Sequence, residues 1–236
     1  MSAMTADASW HVIVIPSPPL HGHLIEPETS IALKILLDEG TIFLNESSNA
    51  REKTTKTIMK EKNLFFLHPS NNLDVILGNS SCASEFIKDY PNLDFIFSPI
   101  GGGGLIAGTS IAIDYLSKSC QVIGAEPSNV DDAYRSLISG KIETNKSTNT
   151  IADGLRTNLG SINFPIIQKH VKEILLVSET EIMNSLNIIL NELKLVVEPS
   201  SAVVLAALIK NKEKFKNKKI GLIMCGGNID FNSLKF

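Results

Sequence analysis

Ser98-Pro99-Ile100-Gly101-Gly102-Gly103-Gly104-Leu105-Ile106-Ala107-Gly108 is the stretch on which the reading turns. It follows Leu93-Asp94-Phe95-Ile96-Phe97, so residues 93–100 form an apolar run of strand length. Such runs suit strands buried on both faces of a parallel sheet. A helix is predicted from about Leu105 to Leu116. Four glycines between a strand and a helix leave several backbone N–H groups aimed at one point. Glycine lets the chain adopt positive φ and lets a ligand approach the backbone closely. The helix start adds partial positive charge. The carboxyl ends of strands are where open α/β sheets hold ligands. The turn is therefore read as an anion cradle, because four consecutive glycines cost more chain entropy than a plain turn requires. A dinucleotide fingerprint fits poorly. Ala107 takes the third glycine position of one register, and only Glu126 closes the next strand with an acid.

Outward from this turn, strands and helices alternate. Strands are predicted at Trp10–Ile15, Thr41–Leu44, Asn63–Leu67, Cys120–Ala125, Ile174–Val177 and Lys219–Met224. Helices are predicted at Thr29–Asp38, Asn49–Lys62, around Ser84–Lys88, and at Asp131–Ser139, Glu179–Leu193 and Ser200–Ile209. This alternation means an α/β fold with a mainly parallel sheet flanked by helices. The composition shifts near His68, so residues 1–67 are read as a smaller, partial α/β unit and residues 68–236 as a larger one.

The chain has 236 residues, 43% of them hydrophobic, enough for a substantial core. Its net charge of −3, with both signs interspersed, offers no basic field for nucleic acid. Its apolar runs fall short of a membrane span, and Met1–Trp10 lacks the pattern of a signal peptide. Three cysteines without metal-type spacing fit a reduced, cytoplasmic compartment.

Three further features stand out, the first two at predicted strand ends. Glu126 precedes Pro127-Ser128-Asn129-Val130-Asp131-Asp132, and carboxylates so spaced can bind a hard cation. From spacing alone, capping of the next helix by Asn129 or Asp131 outweighs that. Cys225, before Gly226-Gly227-Asn228, can exchange one hydrogen bond with a flat heterocycle; taken alone it reads as a buried structural cysteine. Thr150-Ile151-Ala152-Asp153-Gly154 is a polar break that lines a pocket or is simply a loop. The five scattered histidines form no metal pattern, and no nucleophile-elbow motif is present.

These features occur in a familiar order. From Leu67 to Asp230 the chain resembles the fold-type II pyridoxal-phosphate enzymes, of tryptophan synthase β-like fold. The likeness is strongest to the serine racemase and threonine/serine dehydratase members. It is carried by HPSNNLDVILG, SPIGGGGLIAG, VIGAEPSNVDDAYRSLISGKI, TIADGLRTNLG, KLVVEPSSAVVLAAL and CGGNID. The resemblance implies that Gly101, Gly102, Gly103, Gly104 and the N–H of Leu105 grip the phosphate of pyridoxal phosphate. It places Cys225 against the pyridine nitrogen and Gly154 beside the cofactor. It makes Glu126, the Val130 carbonyl and Asp132 a divalent-cation site, for Mg2+ or Ca2+, and so raises that reading above capping. The implied reaction is β-elimination from threonine or serine to a 2-oxo acid and ammonia, with serine racemisation as a side branch. A homodimer is the assembly the resemblance suggests.

The sequence departs from the family in four places. The Ser-x-Lys-x-Arg-Gly-type stretch bearing the Schiff-base lysine has no counterpart; Lys34, in IALKILLDEG, resembles a different helix. The Ser-Ser-Gly-Asn-His-type substrate loop is missing as well. Ser70 stands where racemase-like members have Asn, and Gly78-Asn79-Ser80-Ser81 where they have Gly-Gln-Gly-Thr. The expectation is accordingly an N-terminally truncated or degenerate member with no assigned catalytic residue. The alternative is a catalytically silent remnant that binds phosphate or the cofactor and associates with a full-length homologue.

Overall fold

The computed structural model describes residues 11–16, 56–57, 60–61 and 67–229. The predicted elements Thr29–Asp38 and Thr41–Leu44, and all of Asn63–Leu67 except Leu67, lie outside them. Of Asn49–Lys62, residues 56–57 and 60–61 are described and are helical. The chain divides into two compact units: Met1–Ser17 with His68–Phe236, and Pro18–Leu67.

The larger unit is built on a parallel sheet whose strands are β1 (His11–Pro16), β2 (Phe95–Pro99), β3 (Gln121–Pro127), β4 (Val171–Val177) and β5 (Lys219–Met224), in the spatial order β1-β5-β2-β3-β4. Strand β1, which the sequence reading groups with residues 1–67, is hydrogen-bonded to β5 in this sheet. Nearness along the chain does not choose partners in a parallel sheet, because every parallel pair needs a crossover.

The helices are α1 (Leu73–Asp89), α2 (Gly104–Leu116), α3 (Asp132–Ser139), α4 (Asn163–His170), α5 (Glu179–Ile188) and α6 (Pro199–Lys210). Alternate residues of the strands feed two apolar layers. Ile96, Val122 and Ile223 join Ile76, Phe86, Ile106 and Ile167 from α1, α2 and α4. Phe97, Ile123 and Leu222 join Ile182, Leu186, Val203 and Phe215 on the other side. Burial on both faces is what the apolar strand sequences predict. Phe215 stands edge-on to both Phe95 and Phe97, with each pair of ring centroids 5.1 Å apart.

Local chemistry sets the helix ends. Asn72 starts α1 by accepting from the N–H groups of Asp74 and Val75 at 2.8 and 3.2 Å. Ser178 and Glu181 form a reciprocal capping box at α5. Pro199 opens α6, where its missing N–H costs nothing. Gly108 lets α2 pass close to α1, since a Cβ there would meet the Ile76 carbonyl oxygen and, at 2.8 Å, the Ser80 nitrogen. Among the described residues, no helix is long and apolar enough to cross a membrane.

Candidate functional site

The glycine turn sits where its sequence predicts, between β2 and α2. The Ile100 N–H donates to the Ala125 carbonyl at 2.9 Å, one step past the end of β2. The next five N–H groups, from Gly101 through Leu105, have no acceptor among the described residues. Gly101 to Gly104 are buried and Leu105 is half-buried. The first turn of any helix leaves its N–H groups unpaired; here a buried loop adds more to the same group. Gly103, the residue before α2, has φ of 89°, in the left-handed region that favours glycine. Ser70 backs the turn so closely that a Cβ on Gly104 would lie 2.9 Å from its Cα.

Strand order places this turn at the centre of the sheet's carboxyl edge. Phe97 registers with Leu222, and Pro99 with Ala125. Continuing those registers brings Ile100 level with both Cys225 and Glu126. The Gly154 loop comes to the same place: a Cβ on Gly101 would lie 3.0 Å from the Gly154 carbonyl oxygen. The glycine turn and Gly154 are thus in backbone contact, and Cys225 follows the neighbouring strand.

A trio at the start of α6 joins these parts, and the sequence reading assigned it no role. The Gly154 N–H donates to the Ser200 hydroxyl at 3.0 Å. The Ser201 hydroxyl donates to the carbonyl oxygens of Cys225 and, at 3.3 Å, Gly226. The Glu198 N–H donates to the Gly226 carbonyl at 3.1 Å, and a Cβ on Gly226 would lie 2.6 Å from each Glu198 carboxylate oxygen. Burial, and then Asp153, raise the Glu198 pKa. Burial first, then Cys82 and Glu198, push the Cys225 thiol up to about 11. Cys225 is therefore a neutral thiol at physiological pH, able to donate or accept one weak hydrogen bond. The signal available in sequence was Glu198-Pro199-Ser200-Ser201, an acid and two hydroxyls around a helix-opening proline.

Glu126 near the end of β3, Val130 in the following turn and Asp132 at the start of α3 are all buried. The Glu126 carboxylate accepts from the N–H groups of Ala133 and Tyr134 at 3.1 and 2.9 Å. It therefore caps α3, whereas Asp131 makes no capping bond and pairs with Arg135 at 2.8 Å. One Asp132 oxygen accepts from the Leu159 N–H at 2.6 Å. The other, Oδ1, is buried without a hydrogen-bond partner, as is the Nδ2 of Asn145. Burial raises the pKa of Glu126 well above the usual carboxylate range and outweighs its two N–H partners; the neighbouring Asp132 charge adds to the rise. Burial likewise raises Asp132. Among the described residues, no three His, Cys, Asp or Glu side chains converge as metal ligands. A cation here would rest on two carboxylates plus backbone. Capping uses one lone pair on each Glu126 oxygen and leaves others free.

Comparison with known proteins adds to this geometry. Residues 23–226 match the model of the family described as "Pyridoxal-phosphate dependent enzyme". A serine racemase of Dictyostelium discoideum is 43% identical over 189 residues, covering 78% of this chain and 58% of that protein. A beta-hydroxyaspartate dehydratase of Paracoccus denitrificans is 40% identical over 188 residues, covering 80% of this chain and 60% of the other. The crystal structure of the Dictyostelium serine racemase superposes with a TM-score of 0.75 at 37% identity, covering 93% of this chain and 69% of that one. The chain spans about three fifths of the length of these two curated relatives.

Proposed function

The chain belongs to the pyridoxal-phosphate dependent enzyme family, and from that premise we propose that Gly101 to Leu105 hold the phosphate of pyridoxal phosphate in a site for hydroxy-amino acids. The reaction proposed is β-elimination of threonine or serine to a 2-oxo acid and ammonia, or racemisation of serine. The observation that carries this reading is the set of five N–H groups at the start of α2 that have no acceptor among the described residues. Such a set matches the oxygens of a phosphate group. The cofactor, when bound, supplies an electron sink for charge developing at the substrate Cα.

The chain's own residues bind and position. The turn binds the phosphate and so fixes where the cofactor ring lies. Cys225, neutral and level with Ile100, would meet the pyridine nitrogen of a bound cofactor and leave it without a full positive charge, chemistry that suits elimination. The Gly154 loop, held by Ser200, walls one side. Glu198, Ser200 and Ser201 keep the Gly154 loop and the Cys225 turn in fixed relation. Glu126, the Val130 carbonyl and Asp132 are proposed to hold Mg2+ or Ca2+; the support is the orphaned Asp132 oxygen and the raised proton affinity of two neighbouring buried carboxylates. A cation there would brace α3 against the Leu159 segment. Three cysteines free of disulfides fit a reduced, cytoplasmic setting. A homodimer belongs to the same proposal, supported by Leu73 and Leu77, exposed one turn apart on α1.

The test is calorimetric titration with pyridoxal phosphate, inorganic phosphate and pyridoxal, paired with an assay for 2-oxo acid released from serine and threonine. Inorganic phosphate is expected to compete with pyridoxal phosphate. Binding of pyridoxal phosphate that is indifferent to saturating phosphate would refute the assignment of the turn.

A further inference from the structure

We propose that Asn163 aims the cradle by fixing which way the Gly102–Gly103 peptide faces, an inference that rests on the reading of Gly101 to Leu105 as a phosphate site. A peptide between two glycines has no intrinsic preference for one face. Neither residue carries a Cβ, so the unit can rotate until its carbonyl oxygen points where its N–H had been. In one state it offers a donor to an anion. In the other it offers an oxygen that repels it. A glycine-rich cradle therefore needs something outside the loop to choose.

Asn163 is fully buried at the first position of α4. Its side-chain Nδ2 donates to the Gly102 carbonyl oxygen at 2.6 Å and to the Ser70 carbonyl oxygen at 3.2 Å. The Gly160 N–H donates to the same Gly102 oxygen at 3.0 Å. Two donors thus draw the Gly102 carbonyl toward the Gly160–Asn163 segment. No described peptide bond is cis, and a trans peptide carries its N–H opposite its C=O. The Gly103 N–H is consequently directed away from Asn163, to the side where it has no acceptor among the described residues. The second Asn163 hydrogen bond ties in Ser70, which backs Gly104. One amide thereby holds both the orientation of the cradle and the wall behind it.

The chemistry of Asn163 supports a positioning role rather than simple filling. Its Oδ1 is buried with no hydrogen-bond partner. A buried, unpaired acceptor is destabilising, and an apolar side chain of the same size would fill the space without it. Only the donor end of the amide has a use here.

The experiment compares the full chain with its Asn163→Leu variant, using inorganic phosphate, pyridoxal phosphate and pyridoxal as probes. Asn163→Leu is expected to melt at or near the parent temperature without anion. Its affinity for inorganic phosphate and pyridoxal phosphate should fall about 10- to 100-fold, the effect of losing one donor to a charged acceptor. Pyridoxal affinity should stay within about twofold, since no phosphate is involved. With glycine labelled by nitrogen-15, the Gly103 amide should shift strongly on phosphate addition in the parent and weakly in the variant. Equal phosphate affinity together with an unchanged Gly103 response overturns the positioning role. A parent that binds no phosphate instead overturns the cradle reading itself, so the two failures are distinct. If Asn163→Leu does not fold, Asn163→Thr is read in the same way. If neither folds, the parent decides: a Gly103 response smaller than those of its neighbouring glycines overturns the proposal.

Discussion

Replacing one hydrogen by a methyl group at Gly103 and at Gly78 should move stability in opposite directions. Gly103 has φ of 89°. Holding an alanine in that region costs about 1–2 kcal/mol. The new Cβ would lie 2.6 Å from Leu159 Cδ1, 3.0 Å from Asn163 Cβ and 3.1 Å from Ile167 Cδ1. The Leu159 methyl can swing aside, but Asn163 Cβ is one bond from the α4 backbone. Overpacking of this kind costs about 1–3 kcal/mol. The two effects together predict a loss of about 2–5 kcal/mol for Gly103→Ala. At about 2–4 °C per kcal/mol for a chain of this size, the melting temperature should fall by about 4–20 °C. Gly78 is an exposed residue inside α1, and a Cβ there would meet nothing within 4 Å. Gly78→Ala should gain about 0.5–1 kcal/mol from reduced freedom in the unfolded chain. The assay is thermal unfolding of both variants and the parent, followed by circular dichroism with and without inorganic phosphate. The parent should gain about 2.7 kcal/mol at a phosphate concentration of 100 Kd, and Gly103→Ala should gain less. A Gly103→Ala protein that melts within about 1 °C of the parent, or a Gly78→Ala protein that loses as much as Gly103→Ala, would refute the reasoning from backbone conformation.

Three further outcomes are expected. Ser178→Ala should cost about 1 kcal/mol in urea unfolding, because it removes the hydroxyl half of the α5 capping box. Glu198→Gln should melt higher than the parent at neutral pH and equal to it in acid. The Glu198 pKa is raised in the fold, so its stabilising protonated form is fully present below the ordinary value of 4.5 and is lost as pH rises through the folded value; a melting difference that does not vary with pH would count against this. Added Mg2+ or Ca2+ should raise the parent's melting temperature, and Asp132→Asn should abolish the rise; equal shifts in both proteins would remove Asp132 from the cation site.

Sequence alone carried much of the larger unit, and the exceptions have physical causes. Lys219–Met224 is a strand with the predicted bounds, because an apolar run between Lys219 and the Cys225-Gly226 turn has one plausible reading. The helix after the glycines begins one residue earlier than predicted, at Gly104. Helix α4 carries no clear signal in the sequence. It starts at Ile162 and Asn163 without a side-chain cap, and Pro165 sits in its first turn. The predicted helix Glu179–Leu193 stays α-helical only to Ile188, then widens into a π turn closed by Lys194 at φ of 57°. A glycine would have signalled that stop; a lysine in left-handed backbone does not. The sequence marks helix α1 only at Ser84–Lys88, since Gly78-Asn79-Ser80-Ser81 interrupts its apolar pattern and its start is fixed by Asn72. At the site, the cradle was legible because its glycines are contiguous. The links through Ser200 and Ser201 join segments 46 and 24 positions apart, respectively, and no local pattern records them.

The pairing of β1 with β5 has a consequence for how the chain acquires its structure. His11 takes its place beside Lys219, so some 200 residues of intervening chain must be organised or bridged before that ladder can close. The pairs β2–β3 and β3–β4 close over much shorter loops. Distant pairings are slow because loop closure must be met before any contact rewards it. The segment His11-Val12-Ile13-Val14-Ile15 is made early and settled late, and in the interval it is a short, uncharged, β-prone strand with open hydrogen-bonding edges. During refolding from denaturant, aggregation should therefore begin at that strand, and a lysine placed in it should improve recovery at high protein concentration even if it weakens the finished sheet.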